Sequence, residues 1–96
     1  MALYPLDGPA VENEISIDAI TPTQIKVGAS NFEERKVITF QAQTGKVRYG
    51  FTNGITASSG FTAAKGQIVT LEASDSQDVF IIAESGAVTI YFAERA

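Results

Sequence analysis

The chain has 96 residues, 45% of them apolar and 19% charged, with 11 acidic against 7 basic side chains. This is the composition of one ordinary globular domain, able to bury roughly two-thirds of its unfolded surface and too apolar for a disordered segment. Cysteine and histidine are both absent, which excludes disulfides, thiolate or histidine-based catalysis and the usual zinc ligand sets, and a net charge of −4 argues against nucleic acid as a partner.

The opening MALYPLDGPA has no basic n-region or apolar run suited to a signal peptide, and no stretch reaches the about 20 apolar residues of a membrane helix. The expectation is synthesis in a cytoplasm and no membrane partner. Pro5, Gly8 and Pro9 deny residues 1–13 a helix, and Leu3, Tyr4, Leu6 and Val11 are their only apolar anchors. They are expected to form an extended arm ahead of a domain spanning 14–96.

Glu14 to Ile20 alternates strictly, with Ile15, Ile17 and Ala19 on one face, as a half-buried strand does. Thr21-Pro22 interrupts it, because proline cannot donate to a ladder, and Gln24 to Val27 resumes the alternation. Ser30 and Glu33 have the spacing of a capping box, but the β-branched run that follows favours a loop. Val37–Gln43 and Lys46–Thr52 flank Thr44-Gly45 and are expected to pair as a hairpin. Gly50, between Tyr49 and Phe51, suggests a bulge or a close backbone approach.

Asn53-Gly54 marks a turn. Residues 55–64 are expected to cross the edge of the fold irregularly, anchored by Phe61. Ala64-Lys65-Gly66-Gln67 suits a type II turn with glycine third. Val69, Leu71 and Ala73 then alternate with polar residues, and 74–77 is a polar loop. Residues 78–83 are apolar on both faces, as in a strand covered on both sides. Ser85-Gly86 leads into a last strand with Val88, Ile90 and Phe92 on its inner row. About seven or eight short strands without helical periodicity describe a single small all-β, antiparallel β-sandwich or barrel.

Charge is uneven along this chain. Residues 1–34 hold Asp7, Glu12, Glu14, Asp18, Glu33 and Glu34 against Lys26, whereas Arg35, Lys36, Lys46 and Arg48 cluster on the expected hairpin. These bases form either a solvated face or a surface on which an acidic N-terminal segment, its own or a neighbour's, docks. With the arm residues Leu3, Tyr4 and Leu6, and with Phe61, they are the candidate partner-contact residues. Asp75 and Asp78 lack calcium-loop spacing, and Glu33-Glu34, as sequence neighbours, do not face each other across a cleft as glycosidase carboxylates do. No catalytic, cofactor-binding or metal-ligating set emerges, and the expectation is a non-enzymatic protein. Thr56, Ser58, Ser59 and Thr62 beside Phe51 and Phe61 are exposed loop hydroxyls or, alternatively, a carbohydrate or receptor site.

From Lys26 to Glu94 the chain resembles a loose group of small tailed-bacteriophage virion proteins. The pieces that carry the resemblance are Arg35-Lys36, Tyr49-Gly50-Phe51, the run Ile55 to Phe61 closing on Ser59-Gly60-Phe61, Lys65-Gly66-Gln67, Thr70-Leu71-Glu72, Ala83-Glu84-Ser85-Gly86 and Glu94. The resemblance implies a virion structural protein: an outer capsid decoration (cement) protein stabilising the head, or a neck or tail part. Its expected partners are the major capsid protein, copies of itself, or both, and its expected place is the outer surface of the head.

Overall fold

The computed structural model describes residues 10–96 except 27 and 29. Among these residues it contains eight strands and no helix: β1 (Ala10–Ile17), β2 (Thr23–Gln24), β3 (Val37–Ala42), β4 (Val47–Gly50), β5 (Phe61–Ala63), β6 (Ile68–Glu72), β7 (Phe80–Ala83) and β8 (Val88–Arg95). The first four strands pair with the last four in reverse order, β1 with β8, β2 with β7, β3 with β6 and β4 with β5, all antiparallel. The chain is therefore one long hairpin ribbon whose tip is the segment 51–60. Rolling the ribbon brings β3 against β8 and β4 against β7.

The result is two four-stranded sheets, ordered β1-β8-β3-β6 and β2-β7-β4-β5, an all-β sandwich with the strand order of a jelly roll. Alternation supplies the core between them. Ile17, Ile38, Phe40, Val69, Val88, Ile90 and Phe92 point inward from the first sheet; Val47, Ala63, Ile81 and Ala83 point inward from the second. Phe40 spans the gap, its ring edge-on to Tyr49 at 5.2 Å and 72°. β7 is internal to its sheet, and Ile82, on its other face, is buried as well, as expected of a strand apolar on both sides.

Rolling explains where local turn signals mislead. Thr44-Gly45 does not close a hairpin: β3 and β4 lie in different sheets, and 43–46 is a corner of the ribbon. Its backbone is held by β8 and the turn before it, with Gln43 N–H donating to the Thr89 carbonyl at 2.9 Å and Glu84 N–H to the Lys46 carbonyl at 3.1 Å. Gly45 is required there because a Cβ would come within 2.9 Å of a Val88 methyl. Gly50 marks a close approach, since its Cβ would meet Ile55 Cγ2 at 2.6 Å. The Ala64–Gln67 turn has the expected type II form, with Gly66 at φ 83° and Gln67 N–H donating to the Ala64 carbonyl at 3.0 Å.

Two strands, β1 and β2, are bounded differently from the periodic pattern. β1 stops at Ile17 because the Asp18 side chain accepts the N–H groups of Ile20 and Thr21 at 2.9 and 2.8 Å. Ile20, apolar but within this turn, is 86% exposed. At the other end β1 begins at Ala10, so residues 10–13 of the expected arm are strand, and the remaining arm residues, including Leu3, Tyr4 and Leu6, lie outside the described residues. β2 is only two residues long, and Val27 is not among the described residues.

Candidate functional site

Two arginines expected on a contact surface turn out to hold the ribbon's bends. Arg35, at the corner between β2 and β3, is 1% exposed. Its Nη1 donates to Glu94 Oε2 at 2.9 Å, its Nε to the Ala73 carbonyl at 3.0 Å, and its Nη2 to the carbonyls of Ser74, at 2.7 Å, and Gln77. Glu94, equally buried, also accepts the Phe32 N–H at 2.9 Å. The planar guanidinium fork suits this task, since its donors leave in fixed directions that carbonyls and a carboxylate can meet. Arg35 is thus removed from any partner surface.

Arg48 works similarly at the ribbon's tip. Its Nε donates to the Ala57 carbonyl at 3.1 Å and its Nη1 to the Gly60 carbonyl at 3.2 Å. Glu84 Oε2 lies 3.5 Å from Arg48 Nε and 3.6 Å from Lys46 Nζ. The four bases therefore do not form one patch. Lys36 is exposed near Arg35 at one end of the sandwich, while the half-exposed Lys46 lies beside Glu84 at the other.

Outside the buried pair, the corner between β2 and β3 faces the 73–78 loop through a polar network. Gln24 Nε2 and Asn31 Nδ2 both donate to Asp78 Oδ1, at 2.8 and 2.9 Å, and Glu34 N–H donates to Asp75 Oδ2 at 2.8 Å. Asn31 Nδ2 also reaches the Asp75 carbonyl at 3.0 Å. A shallow depression of about 530 Å³ opens between Gln24, Lys26, Asn31, Glu33, Asp75 and Asp78. Asp75 and Asp78, which lack calcium-loop spacing, are occupied in tying one loop to the other. Among the described residues no three His, Cys, Asp or Glu side chains gather as a metal site.

Glu34 adopts φ 59°, a left-handed conformation that costs an L-residue roughly 1–2 kcal/mol. Glycine accepts it freely but adds freedom to the unfolded chain. Glu34→Gly is therefore expected to be neutral or to stabilise by up to about 1 kcal/mol, and β-branched Glu34→Val to lose about 1–2 kcal/mol. Urea melts of both variants check this; equal midpoints would mean that the turn relaxes.

Exposed apolar groups gather elsewhere, on the side where β5 and β6 end their sheets. Phe61 is 59% exposed and Phe51 43%, their rings 6.4 Å apart, and Phe61 lies 5.5 Å from Tyr49. Phe61, expected as the apolar anchor of the 55–64 crossing and as a candidate contact residue, is open to solvent because it sits on an edge strand where the sandwich is open. Beside these rings Thr56 and Ser59 close a small turn, their hydroxyls 2.9 Å apart. Ile68, on the outer face of β6, is 63% exposed.

The opposite edge, β1, is polar. Tyr91 bonds to Glu12; that bond first, then partial desolvation and the charges of Glu12 and Glu14, raise its phenol above the ordinary 10.0. A raised folded-state pKa means this contribution is fully present below pH 10 and is lost as pH climbs through the folded value. Ultraviolet titration should find a tyrosine ionising above 10.0 that returns toward it in Glu12→Gln; an unshifted titration in the parent would contradict the bond.

No family model, curated protein or solved structure matches this chain.

Proposed function

We propose that the chain is a non-enzymatic structural protein of a tailed-bacteriophage virion, bound to the outside of the head as a decoration protein that stabilises the major capsid protein shell. The observation that carries this reading is the pattern of turns and strand ends from Arg35 to Glu94. In the fold these pieces are the ones that shape the rolled ribbon: Arg35 and Glu94 form the buried pair, Gly50 the close approach, and Gly66 the type II turn. The net charge of −4 suits an outer surface better than one facing packaged DNA. Jelly rolls serve as both viral shell and sugar-binding domains, so the architecture is compatible with the role without selecting it.

Heads assembled without this protein supply the test. The purified chain is expected to bind them and raise their resistance to heat or chelation. Deleting residues 1–9, which leaves β1 whole, should weaken binding about tenfold or more, because many repeated small contacts on a shell amplify the loss of each one. Failure of the full chain to bind heads while it co-purifies with necks or tails would transfer the role there.

The exposed Phe51–Phe61 pair beside the hydroxyl turn favours one second reading, a carbohydrate- or receptor-binding module. Glycan binding by the purified chain that disappears in Phe61→Ala would establish it in place of decoration.

A further inference from the structure

A two-sheet sandwich leaves four edge strands, and edges invite pairing with another chain unless they are blunted. Three of the four are poor templates. β2 is two residues long and follows Pro22; β5 is three residues long. β1 is long, but Glu12, Asn13 and Glu14 occupy its exposed middle, so pairing it with its own copy would bring like charges together. β6 is different. It runs five residues, Ile68–Glu72, pairs among the described residues only with β3, and carries no proline and no charge before its last residue. Val69 and Leu71 point inward while Ile68 and Thr70 are exposed.

We infer that β6 is a self-association edge whose occupant is β6 of a second copy, paired antiparallel about a two-fold axis at Thr70. The strand is self-complementary in that register. Thr70 meets Thr70, and Ile68 of each copy meets Glu72 of the other. Continuing outward, Lys65 of each copy, exposed in its turn, approaches Asp75 of the other, so opposite charges flank the axis on both sides. The two first sheets merge into one continuous eight-stranded sheet. Phe61, on the adjoining edge strand, is drawn toward the second copy and loses water contact. An isologous contact of this kind closes at two copies and does not propagate into fibres. It specifies the self-association within the proposed role but needs no virion, so it is tested on the isolated chain.

Sedimentation or light scattering should show a mass of twice 10.2 kDa at high concentration. Thr70→Lys, which sets two ammonium groups at the axis, should remain folded and weaken dimerisation at least about tenfold. Because the native chain has no cysteine, Thr70→Cys gives a clean second readout. Cα atoms of directly opposed residues lie about 5.5 Å apart, within disulfide reach, so mild oxidation should trap a covalent dimer, whereas Glu14→Cys on β1 should not. A chain that stays monomeric throughout, a dimer indifferent to Thr70→Lys, or cross-linking through residue 14 in place of 70 would overturn the inference while leaving the head-binding proposal to its own test.

Discussion

Arg35→Met is expected to lower the stability of the chain by about 3–5 kcal/mol, because it strips the buried Glu94 carboxyl of the guanidinium that compensates it. For a small domain whose total stability is roughly 5–15 kcal/mol, the variant is close to unfolding. Both members of the pair are fully buried, so water cannot replace the lost partner. Arg35 also supplies N–H donors to the carbonyls of Ala73, Ser74 and Gln77, and leaving the carbonyl of buried Ala73 bare adds to the loss.

The double variant Arg35→Met, Glu94→Leu separates these effects. Removing both charges should recover much of the loss, as buried pairs replaced by apolar groups commonly do. Recovery should remain incomplete, since the Ala73 carbonyl, in a buried residue, and the Phe32 N–H, which donates to Glu94 at 2.9 Å, lose the partners that Arg35 and Glu94 supply. Urea denaturation of the parent, both single variants and the double variant measures this directly. A single-variant loss under about 1 kcal/mol would place the pair in water and contradict its burial.

Phe40→Ala is expected to cost about 3–5 kcal/mol, the usual loss for deleting a fully buried phenylalanine. Phe40 lies in an internal strand with Phe92 and Val69 beside it across the two ladders, and its ring touches Tyr49 in the facing sheet. No neighbour can collapse into the void without moving a sheet. Phe40→Leu, which keeps most of the volume, should cost markedly less, about 1–2 kcal/mol. Equilibrium melts of both variants decide the matter: equal losses would mean that the ring contact matters and its volume does not. Because Tyr49 also lies against Phe61, Phe40→Ala should also change the environment of the exposed aromatic edge.

Period-two alternation was sufficient to read most strands. The inner rows of β1, β6 and β8 and the doubly covered β7 were all visible in the order of apolar residues. What alternation could not supply was the partner of each strand. Thr44-Gly45 has the chemistry of a two-residue hairpin turn, and only the contacts of Gly45 with Val88 and of Gln43 with Thr89 make it a corner between sheets. The buried ion pair has a signal that is legible in the sequence. Val88, Ile90 and Phe92 on the inner row place Glu94 inward as well, and an inward carboxylate requires a cation. Nothing local identifies that cation as Arg35, 59 residues earlier, because the rolled ribbon makes the contact. Phe61, both the apolar anchor of the 55–64 crossing and a candidate contact residue, is exposed for the converse reason: an inward-facing residue is buried only where the opposite sheet extends over it.

The central claim is that the chain is a repeated outer component of a phage head, and copy number tests it most directly. On that proposal, quantitative mass spectrometry of purified virions compares the copy number of this chain with that of the major capsid protein. A ratio near one, or a simple fraction of it, is the predicted result. A dozen or so copies would place the chain in the neck or tail, and its absence from virions would contradict a structural role.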